Sequence, residues 1–336
     1  MKKTIAILLA LVMALGLFAG CAPAEGEGTT APTTAPTTAP TTEPAPPVDA
    51  PVIADCENCE EDDVEWTKWT ATDALPVEAG HYILQNDVTL TAETNWRGVG
   101  VLCLDLNGKT VQQTTVGQRV AAINSAVISI YDSSAEKTGK ILPACATEDE
   151  TVMQWRWAVG FLMSKDSELN IYGGTIDCSQ VESVGRYGGC VTLDAGTLNI
   201  YGGKLIGGTT VTNGSGGAAV TIMAGATVNM SGGEIIGGTV NSTHGKGGGG
   251  AINVIGSMYM TGGKVVGGTT DRNGGAIQVW PNAKLLISDG ALITGGTAAE
   301  NGDTIYVFKD GSLQLGTGVE LGVEIVGEVY DANTAS

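Results

Sequence analysis

One short phrase recurs five times in this chain: an apolar residue, a spacer, a second apolar residue, another spacer, then a glycine pair or a close variant. The copies lie at 169–174, 198–203, 228–233, 258–263 and 285–290. Their glycine pairs begin at 173, 202, 232, 262 and 289, with aspartate in place of the first glycine in the last copy, so the period is 29, 30, 30 and 27 residues. A repeat of that length is one supersecondary unit that cannot bury its apolar face alone, and stacking of neighbours into a solenoid is what completes the core.

The content of one period decides which solenoid. Between Gly188 and Gly217 three short runs, Cys190 to Leu193, Leu198 to Ile200 and Lys204 to Ile206, are separated by turns and by glycines. Apolar and polar residues alternate at period two, and helical spacing is absent. The reading is an all-β, single-stranded parallel β-helix of about eight coils, each with three short strands.

Stacking requires residues of equal phase to lie over one another about 4.8 Å apart. One column then runs Asn170, Asn199, Asn229, Tyr259, and another Thr175, Lys204, Glu234, Lys264, Ala291. The second predicts ion pairs between successive coils.

The segments before the repeats have other jobs. Residues 1–20 read as an export signal, with Lys2 and Lys3 ahead of an apolar run at 5–19 that is too short to span a membrane. Phe18-Ala19-Gly20-Cys21 follows, and this end resembles a bacterial lipoprotein signal, although Phe18 departs from the usual aliphatic residue. The resemblance implies a lipid on Cys21 and an extracytoplasmic, surface-exposed protein held to the cell membrane by that lipid.

Residues 21–52 are rich in Thr, Pro and Ala and form an extended linker. Residues 53–90 combine an acidic segment with an N-terminal cap containing Trp66 and Trp69, residues 91–330 carry the β-helix, and 331–336 are a tail. The stretch 146–156 reads as an insertion between coils.

The formal charge of −19 disfavours nucleic acid as a partner. The acidic run at 57–65 reads as a solvated entry to the domain. Cys56 and Cys59 have C-x-x-C spacing, but no second such pair exists and the histidines are His81 and His244, so a local disulfide or two free thiols is expected there, and neither a metal nor another cofactor. Cys103, Cys145, Cys178 and Cys190 sit in or beside strands and are expected as buried apolar residues.

The region 80–330 resembles the right-handed parallel β-helix, or pectate-lyase-like, proteins of bacterial surfaces. Gly216-Gly-Ala-Ala-Val220, Gly249-Gly-Ala-Ile252 and Gly274-Gly-Ala-Ile277 are also weakly similar to the Gly-Gly-Ala-aliphatic motif of polymorphic outer-membrane adhesin repeats, without the Phe-x-x-Asn motif that accompanies it there. The resemblance implies a right-handed coil and either carbohydrate binding or polysaccharide cleavage.

Cleavage needs a site. The one Asp-Asp pair, Asp62 and Asp63, precedes the repeats, and no repeat phase offers the paired carboxylates of a glycosidase. Asp271 beside Arg272 is the nearest approach to a lyase pair, and Ser242 with His244 lacks an orienting acid. No catalytic residue is assigned.

Coil length varies in the turn between the third strand and the next coil, at 179–189, 209–217, 239–250, 269–275 and 297–303. Stacking makes this a ridge bearing Arg186, Tyr187, Asn213, His244, Lys246, Arg272 and Asn273, a candidate glycan-binding edge. Tyr172 and Tyr201 share a phase and are candidates for stacking on sugars. The expected protein is a monomeric, non-enzymatic surface lipoprotein that binds polysaccharide or host glycan, or serves adhesion or structural display. The alternative is a polysaccharide lyase or glycoside hydrolase of this fold.

Overall fold

The computed structural model describes residues 52–56, 61–91, 96–115, 117–144, 160–185, 189–212, 214–243, 247–288, 290–316 and 324–334. Every regular element among them is a β-strand. Each coil visits a first face, exemplified by Val191–Leu193, a second by Thr197–Ile200 and a third by Lys204–Ile206. Strands of equal phase pair in parallel along each face, giving a right-handed β-solenoid.

The regular part, from Phe161 to Val326, makes about six turns, fewer than the eight equal coils expected from counting phrases. Strands at Gly80–Leu84, Gly100–Asp105 and Ala126–Tyr131 extend the second face toward the N-terminus, and their turns are uneven in length. Parallel stacking therefore begins inside the stretch assigned to the cap. The antiparallel hairpin of Val52–Cys56 and Glu61–Trp69 joins the edge of this face, and the expected acidic entry is partly its second strand. At the other end Val329–Asp331 pairs with Ile305–Val307. The predicted insertion at 146–156 lies outside the described residues.

Apolar residues enter the core at period two, although the first-face strands Val191–Leu193, Val220–Ile222, Ile252–Val254 and Ile277–Val279 are buried at every position. Ile200 pairs in register with Ile171 below and Met230 above, and all three are buried in one continuous core with Leu198, Leu205 and Ile235. The asparagine column faces outward as a hydrogen-bonded ladder. Asn229 donates to Asn199 at 2.8 Å, Asn199 to Asn170 at 2.8 Å, and Asn170 to Ser129 at 3.2 Å. Such chaining satisfies amides that the neighbouring coils cover.

On the third face Lys204, Glu234 and Lys264 pair as expected, with N···O distances of 3.1 and 3.0 Å. The next partner of Lys264 is Leu292, not Ala291, because the corner after Ile287 holds one residue more than the corner after Met260 in the coil below.

The glycine pairs exist because corners stack closely. A Cβ on Gly202 would overlap the carbonyl oxygen of Tyr172 in the coil beneath, and one on Gly232 would overlap that of Tyr201. The Gly-Gly-Ala segments form another tight corner, where a Cβ on Gly250 would run into the carbonyl of Gly275 and Ala251 and Ala276 are buried. Packing accounts for that motif without any appeal to adhesion.

Two expectations are corrected. The variable turns contain a fourth parallel sheet, formed by Glu182–Gly185, Thr209–Thr212, Thr239–Ser242, Thr269–Thr270 and Thr297–Ala298, so these coils have four strands and not three. Cys178 and Cys190 are not separate buried thiols but a disulfide with a Cα–Cα distance of 5.9 Å, which closes the loop containing the first of these strands.

Candidate functional site

The corner between the second and third faces positions a column of tyrosines. Each follows the last inward-facing residue of a second-face strand: Tyr131 after Ile130, Tyr172 after Ile171 and Tyr201 after Ile200. The rings of Tyr131 and Tyr172 stack with centroids 4.7 Å apart and planes 2° from parallel. Those of Tyr172 and Tyr201 are also 4.7 Å apart, at 16°. The centroid spacing matches the coil spacing, so the backbone sets the stack.

Trp66 abuts Tyr131 edge to face at 5.5 Å and ends the column below. Above Tyr201, the equal-phase residue is Ser231, too small to continue the stack. Tyr172 has an aromatic neighbour on each face, whereas Tyr201 is 48% exposed. Of the two predicted stacking residues, Tyr201 alone ends the column with a ring face open to a ligand.

Beside the column lies a recess of about 330 Å³ lined by Asp132, Lys137, Tyr172, Thr175, Lys204 and the corner glycines. That volume is at the lower end of the roughly 300–1,000 Å³ of small-ligand sites. Lys137 donates from Nζ to the Asp132 carbonyl at 2.7 Å, and Lys204 faces Glu234 at 3.1 Å. Both ammonium groups retain donors for an incoming oxygen, since each carries three. The Asp132 carboxylate accepts from the backbone N–H of Gly108 and Gly139 at 2.8 and 2.7 Å and from the Ser134 hydroxyl at 2.7 Å. It holds the turns together and is not placed as a general acid.

The predicted ridge is a separate part of the coil. Arg186, Tyr187, Asn213, His244 and Lys246 lie outside the described residues, as does Cys21. Arg272 reaches Glu300 on the next coil at 2.9 Å, and Asn273 donates to the other oxygen of the same carboxylate at 2.8 Å. Asp271 instead accepts the Ser242 backbone N–H at 2.9 Å. The adjacent Asp-Arg pair is thus split between two neighbours rather than aimed at one substrate position, which disfavours its use as a lyase site.

Cys56, His81 and Cys103 are far apart in the chain, and the fold brings them together. Their phase held the signal for two of them, because His81 and Cys103 occupy equal positions one coil apart.

Comparison with known proteins finds no matching protein-family profile, curated protein or solved structure.

Proposed function

We propose that this is a lipid-anchored bacterial surface protein whose β-helix binds glycans, with Tyr201 as the stacking platform and Lys204 and Lys137 as donors to sugar hydroxyls or carboxylates. The observation that carries the reading is a tyrosine column whose last ring, Tyr201, is exposed, together with a recess one coil below it that Tyr172, Lys137 and Lys204 line. A flat apolar ring with a polar tip suits the face of a pyranose, and nearby lysines suit an acidic sugar in a chain that is otherwise strongly negative. The signal-like N-terminus, the linker and the resemblance to pectate-lyase-like surface proteins support display outside the cytoplasm. The Cys178–Cys190 disulfide supports maturation in an oxidising compartment.

The test is a carbohydrate array of pectic and host glycans run beside a depolymerisation assay on the same polymers. Saturable binding without product is the expected result. Product accumulating well beyond the protein concentration would replace this reading with the polysaccharide lyase or hydrolase.

A further inference from the structure

The outer face of the N-terminal coils carries a cluster unrelated to sugar stacking. His81 and Cys103 are register partners on neighbouring parallel strands, so their side chains leave the same face one strand spacing apart. The hairpin strand Val52–Cys56 brings Cys56 onto them, with its Sγ 3.5 Å from that of Cys103. One ligand atom from each of Cys56, His81 and Cys103 lies within 4.8 Å of the other two. Both cysteines are buried and His81 is partly exposed. Trp66 packs against the His81 ring at 5.3 Å, and the Tyr131 hydroxyl is 3.7 Å from the Cys56 sulfur.

We propose that Cys56, Cys103 and His81 bind a zinc ion that fastens the N-terminal hairpin to the first coils. Zn–S bonds of about 2.3 Å arranged tetrahedrally put two sulfurs roughly 3.8 Å apart. The observed 3.5 Å is close to that edge and well beyond the ~2.05 Å of a disulfide. A disulfide would also have no use for an imidazole in reach of both sulfurs. Two thiolates and one neutral imidazole supply three of the four positions zinc prefers, and the fourth is left for water or a further ligand.

Binding transfers the two thiol protons to solvent as two S–Zn bonds form, so affinity rises with pH. The Tyr131 hydroxyl is placed to donate to the Cys56 thiolate, an outer contact of the kind that holds a ligand in position. Because Cys56 belongs to the antiparallel hairpin while His81 and Cys103 belong to paired strands of the second face, the ion acts as a cross-link between hairpin and solenoid.

The test uses the full-length protein with its Cys178–Cys190 disulfide intact, stripped with a chelator and titrated with Zn²⁺ against a chromophoric competitor. One high-affinity equivalent per chain is expected, and Co²⁺ in its place should give the thiolate-to-metal charge-transfer band and intense ligand-field bands of a tetrahedral site. Cys103→Ala and His81→Ala should each weaken binding by more than the roughly 10–100-fold typical of a residue that only supports a ligand.

The wild-type titration decides the matter even where a variant fails to fold. Absence of stoichiometric binding with both thiols titratable would overturn the proposal, as would recovery of a Cys56–Cys103 disulfide from the native protein. Binding lost in Cys59→Ser but kept in Cys103→Ala would assign the metal to the C-x-x-C pair and overturn it too.

Discussion

Lys204 and Glu234, thirty residues apart in the chain, face each other on adjacent third-face strands with Nζ and Oε2 3.1 Å apart. Lys264 approaches the same carboxylate from the coil above at 3.0 Å. The hydrogen bond from Lys264, helped by Lys204, holds the Glu234 carboxyl below the usual glutamate range despite its partial burial.

A group with a lowered folded-state pKa stabilises the fold above its unfolded pKa and loses that contribution as pH falls through the folded value. The wild type should therefore lose stability relative to Glu234→Gln on acidification from neutral pH. Because both lysines are about half exposed, the difference at neutral pH should be no more than about 1 kcal/mol, shrinking with added salt. Chemical denaturation of both proteins across an acid series measures it, and parallel curves would refute the coupling.

Ile200→Asp and Asn199→Asp test the alternation of faces. Ile200 is 1% exposed between Ile171 and Met230, so an aspartate there buries an unpaired carboxylate and should cost about 4 kcal/mol or more. Asn199 points outward, but it is 8% exposed and donates to Asn170 and to Glu168. Aspartate removes both donations and sets a charge beside Glu168, costing about 1–3 kcal/mol, partly recovered at acid pH. Equal losses on urea unfolding would contradict the register.

Two glycines should fail for different reasons. Gly202→Ala pushes a methyl into the Tyr172 carbonyl and should cost at least about 2 kcal/mol, because the whole corner must move. Gly225 has open space around it but a φ of 87°, so Gly225→Ala carries only the left-handed backbone cost of about 1–2 kcal/mol. Thermal unfolding of the two variants separates a stacking clash from a conformational one.

Cys21→Ser should release the protein from membranes or leave it unprocessed without disturbing the β-sheet circular dichroism signal. Mass spectrometry of the mature N-terminus that finds no lipid on Cys21 would contradict the anchoring proposal.

Much of the architecture is written in the sequence because stacking converts a constant period into contacts. The asparagine ladder, the Lys204–Glu234–Lys264 column and the alignment of Tyr172 with Tyr201 follow from counting alone. The fourth sheet does not, since Thr209–Thr212 and Thr269–Thr270 are short, threonine-rich runs with little apolar alternation to distinguish them from turns. Cys178 and Cys190 belong to no common phase, so their bond had no periodic signal. Cys56 arrives at His81 and Cys103 on an antiparallel hairpin that the repeat does not govern. At the candidate site, equal phase identifies the tyrosine pair, but the small Ser231 above it is what leaves Tyr201 as the open end.

The most direct test of the glycan-binding account is titration calorimetry of wild type, Tyr201→Ala and Tyr259→Ala with an oligosaccharide that the array identifies. Removing the terminal stacking ring should weaken binding by roughly tenfold or more, equivalent to about 1.4 kcal/mol, with an unchanged thermal midpoint, while Tyr259→Ala, outside the column, retains wild-type affinity. Undiminished affinity in a folded Tyr201→Ala protein would contradict the account.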